Sequence, residues 1–201
     1  MVRIGISVEG PTEERFVKIV LEPYLSRKGV FMTAISMGGD VSVDSAKSEL
    51  KKIANSFDYV TTLYDFYGFK KKTNNEDKTS LEQRLVDSVH DGVRPKFIPY
   101  IQMYEFEGVL FSCPEAMERG LNETGVKEWA QGVLDEFGGN PEVINDSVET
   151  APSKRLGKET AYRKTTHGPN IAKEIGVEKI REMCSGFDAW LTKIEDLPIS
   201  H

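Results

Sequence analysis

Arg3-Ile4-Gly5-Ile6-Ser7-Val8-Glu9-Gly10-Pro11-Thr12-Glu13-Glu14 opens the chain with an alternating apolar run that stops at Gly10-Pro11. Ile4, Ile6 and Val8 predict a short buried strand, and Gly10 with Pro11 predicts the turn that ends it. Thr12 is the expected N-cap of the next helix. Glu13 and Glu14 fall in its first turn, where the helix dipole favours negative charge, and Phe16, Val17, Val20, Leu21 and Tyr24 form its apolar stripe. Glu9 therefore stands at the tip of a strand, where open α/β sheets place their ligands. Glu9 and Pro11 occupy positions where a dinucleotide-binding turn needs its glycine series, which argues against a nicotinamide enzyme.

Further along, the same alternation repeats. Val30 to Met37 predicts a second strand, Val43 to Phe57 a helix with Ala46, Leu50, Ile53 and Ala54 inward, and Tyr59 to Tyr64 a third strand closed by Asp65 and Gly68. Ser80 to His90 predicts a helix and Lys96 to Met103 a fourth strand. Parallel strands need crossovers, so this order implies an α/β fold whose mainly parallel sheet of about four strands carries helices on both faces. Lys70-Lys71-Lys72 and the polar residues to Lys78 predict a mobile loop. After Ser112 the pattern turns helical, at Pro114 to Leu121, Val126 to Phe137, Gly168 to Ile175 and Val177 to Met183, with Trp190 and Leu191 docking the tail. The expected organisation is an α/β core over residues 1–112 and a helical C-terminal elaboration over residues 113–201, packed together as one compact domain.

Composition narrows the function classes. The 201 residues, 39% hydrophobic, suffice for one sizeable core, and no apolar run approaches the ~20 residues of a membrane span. With no secretory leader pattern, a cytoplasmic protein is expected. Two cysteines without paired spacing, Cys113 and Cys184, support neither a disulfide framework nor a zinc site. A formal net charge of −6 argues against a surface that coats duplex nucleic acid, while leaving room for a local basic groove.

The chemistry-bearing candidates are carboxylates at strand ends: Glu9, Asp65, and Glu105 with Glu107 past the fourth apolar run. Parallel topology gathers such ends on one edge. Two bare carboxylates ~4 Å apart repel by about 4 kcal/mol at an effective dielectric of ~20, a cost that a bound Mg²⁺ or Mn²⁺ removes. In an extended segment Glu105 and Glu107 share one face, with Phe106 on the other. Plainer readings stand beside these: a capping carboxylate at Glu9, turn chemistry at Asp65, solvated edge charges at Glu105 and Glu107. Lys154, Arg155, Lys158, Arg163 and Lys164 form a basic cluster with His167 behind it, either an ordinary solvated face or a phosphate-binding one. His167 is equally a residue that shapes the start of a helix.

The stretch Ile4 to Glu14 resembles the first motif of the TOPRIM domain, and Leu63-Tyr64-Asp65-Phe66-Tyr67-Gly68 falls where that family carries its second acidic motif. The whole chain resembles more closely a small group of standalone, uncharacterised bacterial TOPRIM-like proteins related to OLD-family nucleases. Val8 to Glu13, Tyr104 to Glu107, Pro152 to Leu156 and Lys164 to Gly168 carry that likeness. It implies a Rossmann-like three-layer fold with a glutamate acid/base at Glu9 and magnesium held at Asp65. One departure stands out: Asp65-Phe66-Tyr67 replaces the usual Asp-x-Asp, and Tyr67 is no hard anionic ligand at neutral pH.

The function so implied is an Mg²⁺- or Mn²⁺-dependent nucleic-acid phosphodiesterase, in phage defence or DNA repair. Glu9 and Lys154 would be catalytic, and Glu9, Asp65, Glu105 and Glu107 would hold metal. Lys154, Arg155, Lys164, His167 and Tyr67 would contact phosphate or nucleic acid. The alternative is a catalytically degenerate module that binds a nucleotide or nucleic acid and partners an ABC- or AAA-type ATPase, since the chain carries no Walker A loop. Homodimer formation is left open.

Overall fold

A computed structural model describes residues 1–145 and 147–198; Asp146 and residues 199–201 lie outside the described residues. Its centre is a parallel sheet built from β1 (Val2–Val8), β2 (Val30–Ser36), β3 (Tyr59–Asp65), β4 (Phe97–Ile98) and β5 (Ile101–Gln102). The strand order is β2-β1-β3-β4, with β5 also beside β3. All four pairings are parallel, as the alternation of strands and helices requires.

The expected single fourth strand is two short ones. Pro99 has no N–H to give the ladder, and the Thr62 hydroxyl fills the gap by accepting the Tyr100 N–H at 2.9 Å and donating to the Tyr100 carbonyl at 3.0 Å. Another correction falls at the first helix. Pro11 occupies the first helical position of α1 (Pro11–Phe16), so the cap is Gly10 and Thr12 lies buried inside the helix. The helical path continues through a π segment, Val17–Leu21, into α2 (Glu22–Ser26). Pro23 has no N–H to donate, and immediately before it the Glu22 N–H reaches back five residues to Val17 O.

Helices cover both faces of the sheet. On one, α3 (Val43–Ile53) and α4 (Lys78–Ser88) bury Ala46, Leu50, Leu81 and Leu85 against Val60 and Tyr64. The other face is packed by α1 and by α5 (Pro114–Leu121), α6 (Val126–Glu136), α8 (Lys164–Ile175), α9 (Val177–Met183) and α10 (Ser185–Glu195), with α7 (Pro152–Glu159) beside them. Helices α7 and α10 and the first turn of α8 go beyond the expected helices. Ile4, Ile6 and Val8 share one continuous hydrophobic cluster with Met117, Ile171, Phe187 and Trp190. Trp190 does dock the tail: its ring stacks on Tyr100 at 4.5 Å and its indole N–H donates to Thr61 Oγ1 at 2.9 Å. Buried Glu142 accepts the Gly186 and Phe187 N–H groups at 2.8 and 3.1 Å and so caps α10 from a 3₁₀ turn distant in sequence, Pro141–Val143. The lysine-rich segment after Gly68 is anchored by Lys72 Nζ, which donates to the carbonyls of Phe66 and Phe69 at 2.6 and 2.8 Å. Among the described residues no helix is long and apolar enough to cross a membrane.

Candidate active site

Strand order creates the site. From β1 the chain crosses to β2 on one side, while β3 and then β4 lie on the other, so the crevice outside the ends of β1 and β3 is the topological switch point of the sheet. Val8 pairs with Leu63, and Glu9 therefore leaves β1 where β3 delivers Asp65. Glu9 Oε2 accepts the Asp65 N–H at 3.4 Å. Gly68 permits this approach, because a Cβ there would stand 2.5 Å from the same oxygen.

Asp65 is 3% exposed, and its Oδ1 accepts the Phe106 N–H at 2.8 Å. That bond draws the next acidic segment to the strand end. Glu105 and Glu107 do not share an extended face there: Glu105 is extended, but a 3₁₀ helix over Phe106–Ser112 turns Glu107 fully inward, to 0% exposure. Glu107 Oε1 accepts the Tyr162 hydroxyl at 3.2 Å. Glu105 faces the start of α7, where its Oε2 accepts the Ser153 N–H at 2.9 Å.

A fifth carboxylate enters from α1. Glu13, read from the sequence only as a dipole-favoured first-turn residue, is 2% exposed, and its Oε2 accepts the Gly10 N–H at 3.0 Å. Its place at the third helical position after the Gly10 cap, where a glutamate reaches back to the cap N–H, is the sequence signal that accounts for its bond but not for its burial in the cluster. Glu13 Oε1 and Glu107 Oε2 are buried oxygens with no hydrogen-bond donor. Between them stands the Lys164 ammonium, 3.4 Å from Glu107 Oε2, 3.6 Å from Asp65 Oδ2 and 4.0 Å from Glu13 Oε1. Close packing brings it there: a Cβ on Gly168 would lie 2.6 Å from the Tyr162 hydroxyl oxygen and 3.2 Å from the Phe106 ring.

Electrostatics follow from burial. Desolvation raises the pKa of Glu9, of Asp65 by a wide margin, and of Glu107, with neighbouring carboxylates adding to the shift and Lys164 opposing it. Burial works against the Lys164 ammonium, but Asp65, Glu107 and Glu13 outweigh it and its pKa is raised. Among the described residues no three acidic, histidine or cysteine side chains stand ready to close around a metal ion. The donor chemistry nonetheless suits Mg²⁺ or Mn²⁺: hard carboxylate oxygens, two of them buried with no hydrogen bond and only the Lys164 ammonium nearby.

The remaining candidates lie outside this cluster. Exposed Lys154 lines a cavity of about 160 Å³ with Trp129, Glu149 and Lys158, and no hydrogen bond or ion pair joins it to the acidic centre. Arg155 donates to Thr150 O at 2.8 Å and lies 5.3 Å from the Phe137 ring centre. His167 Nδ1 accepts the Arg163 N–H at 3.1 Å, a bond that shapes the start of α8. The Tyr67 hydroxyl bonds Asn145, and its ring packs 5.3 Å from Tyr104. Of the basic cluster, Lys164 is the residue that reaches the carboxylates.

A family model described as Domain of unknown function (DUF4276) matches residues 8–195. The chain belongs to that family. Among solved structures, this DUF4276 chain is similar to the C-terminal region of the Burkholderia pseudomallei OLD protein, at 13% identity and a TM-score of 0.53, with 98% of each chain covered. It also matches the C-terminal region of the Xanthomonas campestris pv. campestris OLD protein at 14% identity and a TM-score of 0.43, with 95% of each chain covered. At such identity the first likeness is one of fold. No curated protein matches the chain.

Proposed function

We propose that this protein is a TOPRIM-like phosphodiesterase that hydrolyses nucleic acid with the help of Mg²⁺ or Mn²⁺, as a nuclease of the OLD-related kind acting in phage defence or DNA repair. The observation that carries the reading is the convergence of buried Asp65, Glu107 and Glu13 beside Glu9, with two buried oxygens that accept no hydrogen bond, at the switch point of a parallel sheet. Shared fold with the OLD C-terminal region and the motif resemblance at Glu9 and Asp65 support it.

Asp65, Glu107 and Glu13 would hold the ion. When bound, the metal would activate water and neutralise charge on the phosphate. Glu9, whose pKa burial raises, is suited to exchange a proton with the reacting water or leaving oxygen. Lys164, one of the expected phosphate contacts along with Lys154 and Arg155, supplies a cation beside that position for the phosphate. A bound nucleotide or nucleic acid and an ATPase partner complete the proposal.

The test is cleavage of single-stranded DNA, duplex DNA and RNA by the full chain with Mg²⁺ or Mn²⁺, for wild type, D65N and E107Q. Metal-dependent cleavage lost at least a hundredfold in both variants supports the reading. Equal cleavage by both variants, or none by wild type, overturns it.

A second reading, a catalytically degenerate binding module, draws on the tyrosine in the Asp-x-Asp position, whose hydroxyl is occupied by Asn145. Inactive protein that still binds a nucleotide or nucleic acid would favour it.

A further inference from the structure

We propose that Lys164 is an internal counter-cation that a divalent ion must displace, so that metal binding is coupled to withdrawal of this side chain from the carboxylate cluster. The inference rests on the cluster being the metal site of the proposed function.

Three observations carry it. First, the ammonium lies 3.4, 3.6 and 4.0 Å from oxygens of Glu107, Asp65 and Glu13, a central position among the acidic groups rather than a pairing with any one. Mg²⁺ coordinates oxygen at ~2.0–2.1 Å, so an ion on these oxygens would share the ammonium's space and repel it. Second, the contact is incomplete. Glu13 Oε1 and Glu107 Oε2 remain without a hydrogen bond despite the nearby ammonium, so the lysine balances charge without satisfying the lone pairs of these acceptor oxygens.

Third, Lys164 is the first residue of α8, at the positive end of the helix dipole, where a cation is disfavoured. The carboxylates hold it there against that field. Arg163 before it is extended, and 43% of the Lys164 side chain is exposed, leaving an outward path for the ammonium. Displacement does not unbalance the cluster, because the divalent ion carries more charge than the ammonium it replaces.

The test measures Mn²⁺ affinity by titration calorimetry on full-length wild type and K164M. The expected result is Mn²⁺ bound at least tenfold more tightly by K164M. Equal or weaker binding by K164M, with wild type binding, overturns displacement while leaving the metal site standing. Absence of binding by both folded proteins removes the metal reading itself, and the inference with it. If K164M does not fold, wild type alone decides through acylation of Lys164 followed by mass spectrometry: modification accelerated severalfold by saturating Mg²⁺ supports displacement, and an unchanged rate overturns it.

Discussion

Arg15 bonds the carbonyl that Pro169 leaves without a partner. Pro169 sits inside α8 and has no N–H for the Thr165 carbonyl four residues earlier; Arg15 Nη1 donates to that oxygen at 3.0 Å and to Thr166 O at 3.3 Å. Its Nη2 donates to Asn170 Oδ1 at 2.9 Å. One guanidinium thus fastens the turn of α8 that begins with Lys164 onto α1, which carries Glu13.

R15M is expected to lower stability by about 1 kcal/mol, which at this chain length means a Tm drop of roughly 2–4 °C. In a P169A background, where residue 169 regains an N–H for Thr165, R15M is expected to cost less. A double-mutant cycle by thermal unfolding checks the coupling, and strict additivity would break the assignment.

Glu107 gives a pH prediction. Burial raises its folded pKa above the ordinary carboxylate value of 4.5, against the opposing charge of Lys164. The folded state therefore binds the proton more tightly; its contribution is fully present below the unfolded pKa and is lost as pH rises through the folded one. E107Q, permanently neutral, escapes that loss. In EDTA it is expected to melt a few degrees above wild type at pH 8, with the difference shrinking towards pH 5. A lower Tm than wild type at pH 8 would show that the Lys164 ion pair dominates instead.

Y67D restores a carboxylate two residues after Asp65. With the other acidic residues unchanged, Mn²⁺ is expected to bind about tenfold more tightly, worth ~1.4 kcal/mol. Calorimetry on Y67D beside wild type reads this directly, and unchanged affinity would mean that the Tyr67 position faces away from the ion.

Glu142 holds the start of α10 by accepting two backbone N–H groups. E142A leaves them without their acceptor and should cost about 2 kcal/mol, several degrees of Tm. Thermal unfolding measures it; a shift under one degree would discount the cap.

The two thiols should separate by reactivity. Cys184 is buried, and desolvation pushes its pKa up to about 12, whereas Cys113 is half-buried. A disulfide reagent such as DTNB is expected to label one thiol of the native protein and two after denaturation. Fast native labelling of both would contradict the packing around Cys184.

Much of the fold was legible because its signals are local. Alternation in Ile4, Ile6 and Val8, the stop at Gly10-Pro11 and the repeated strand-to-helix order are set by neighbouring residues, and parallel crossovers then put Glu9 and Asp65 on one edge without any knowledge of packing. The same locality misled at Lys96 to Met103, where Pro99 splits the strand, and at Glu105 and Glu107, where a 3₁₀ turn replaced the extended segment.

The sequence by itself determined the sheet and the two carboxylates at its strand ends, since strand periodicity and turn residues act over a few positions. Only the tertiary structure decided which cation meets them and which further carboxylates join. Lys154 and Lys164 read alike in a basic run, and Glu13 reads as an ordinary first-turn acid. What separates them is the docking of α8 on α1 through Arg15, between segments about 150 residues apart, together with the close contact of Gly168 with Tyr162 and Phe106. That choice depends on side-chain volumes and hydrogen bonds meeting across the core, and no local periodicity carries it.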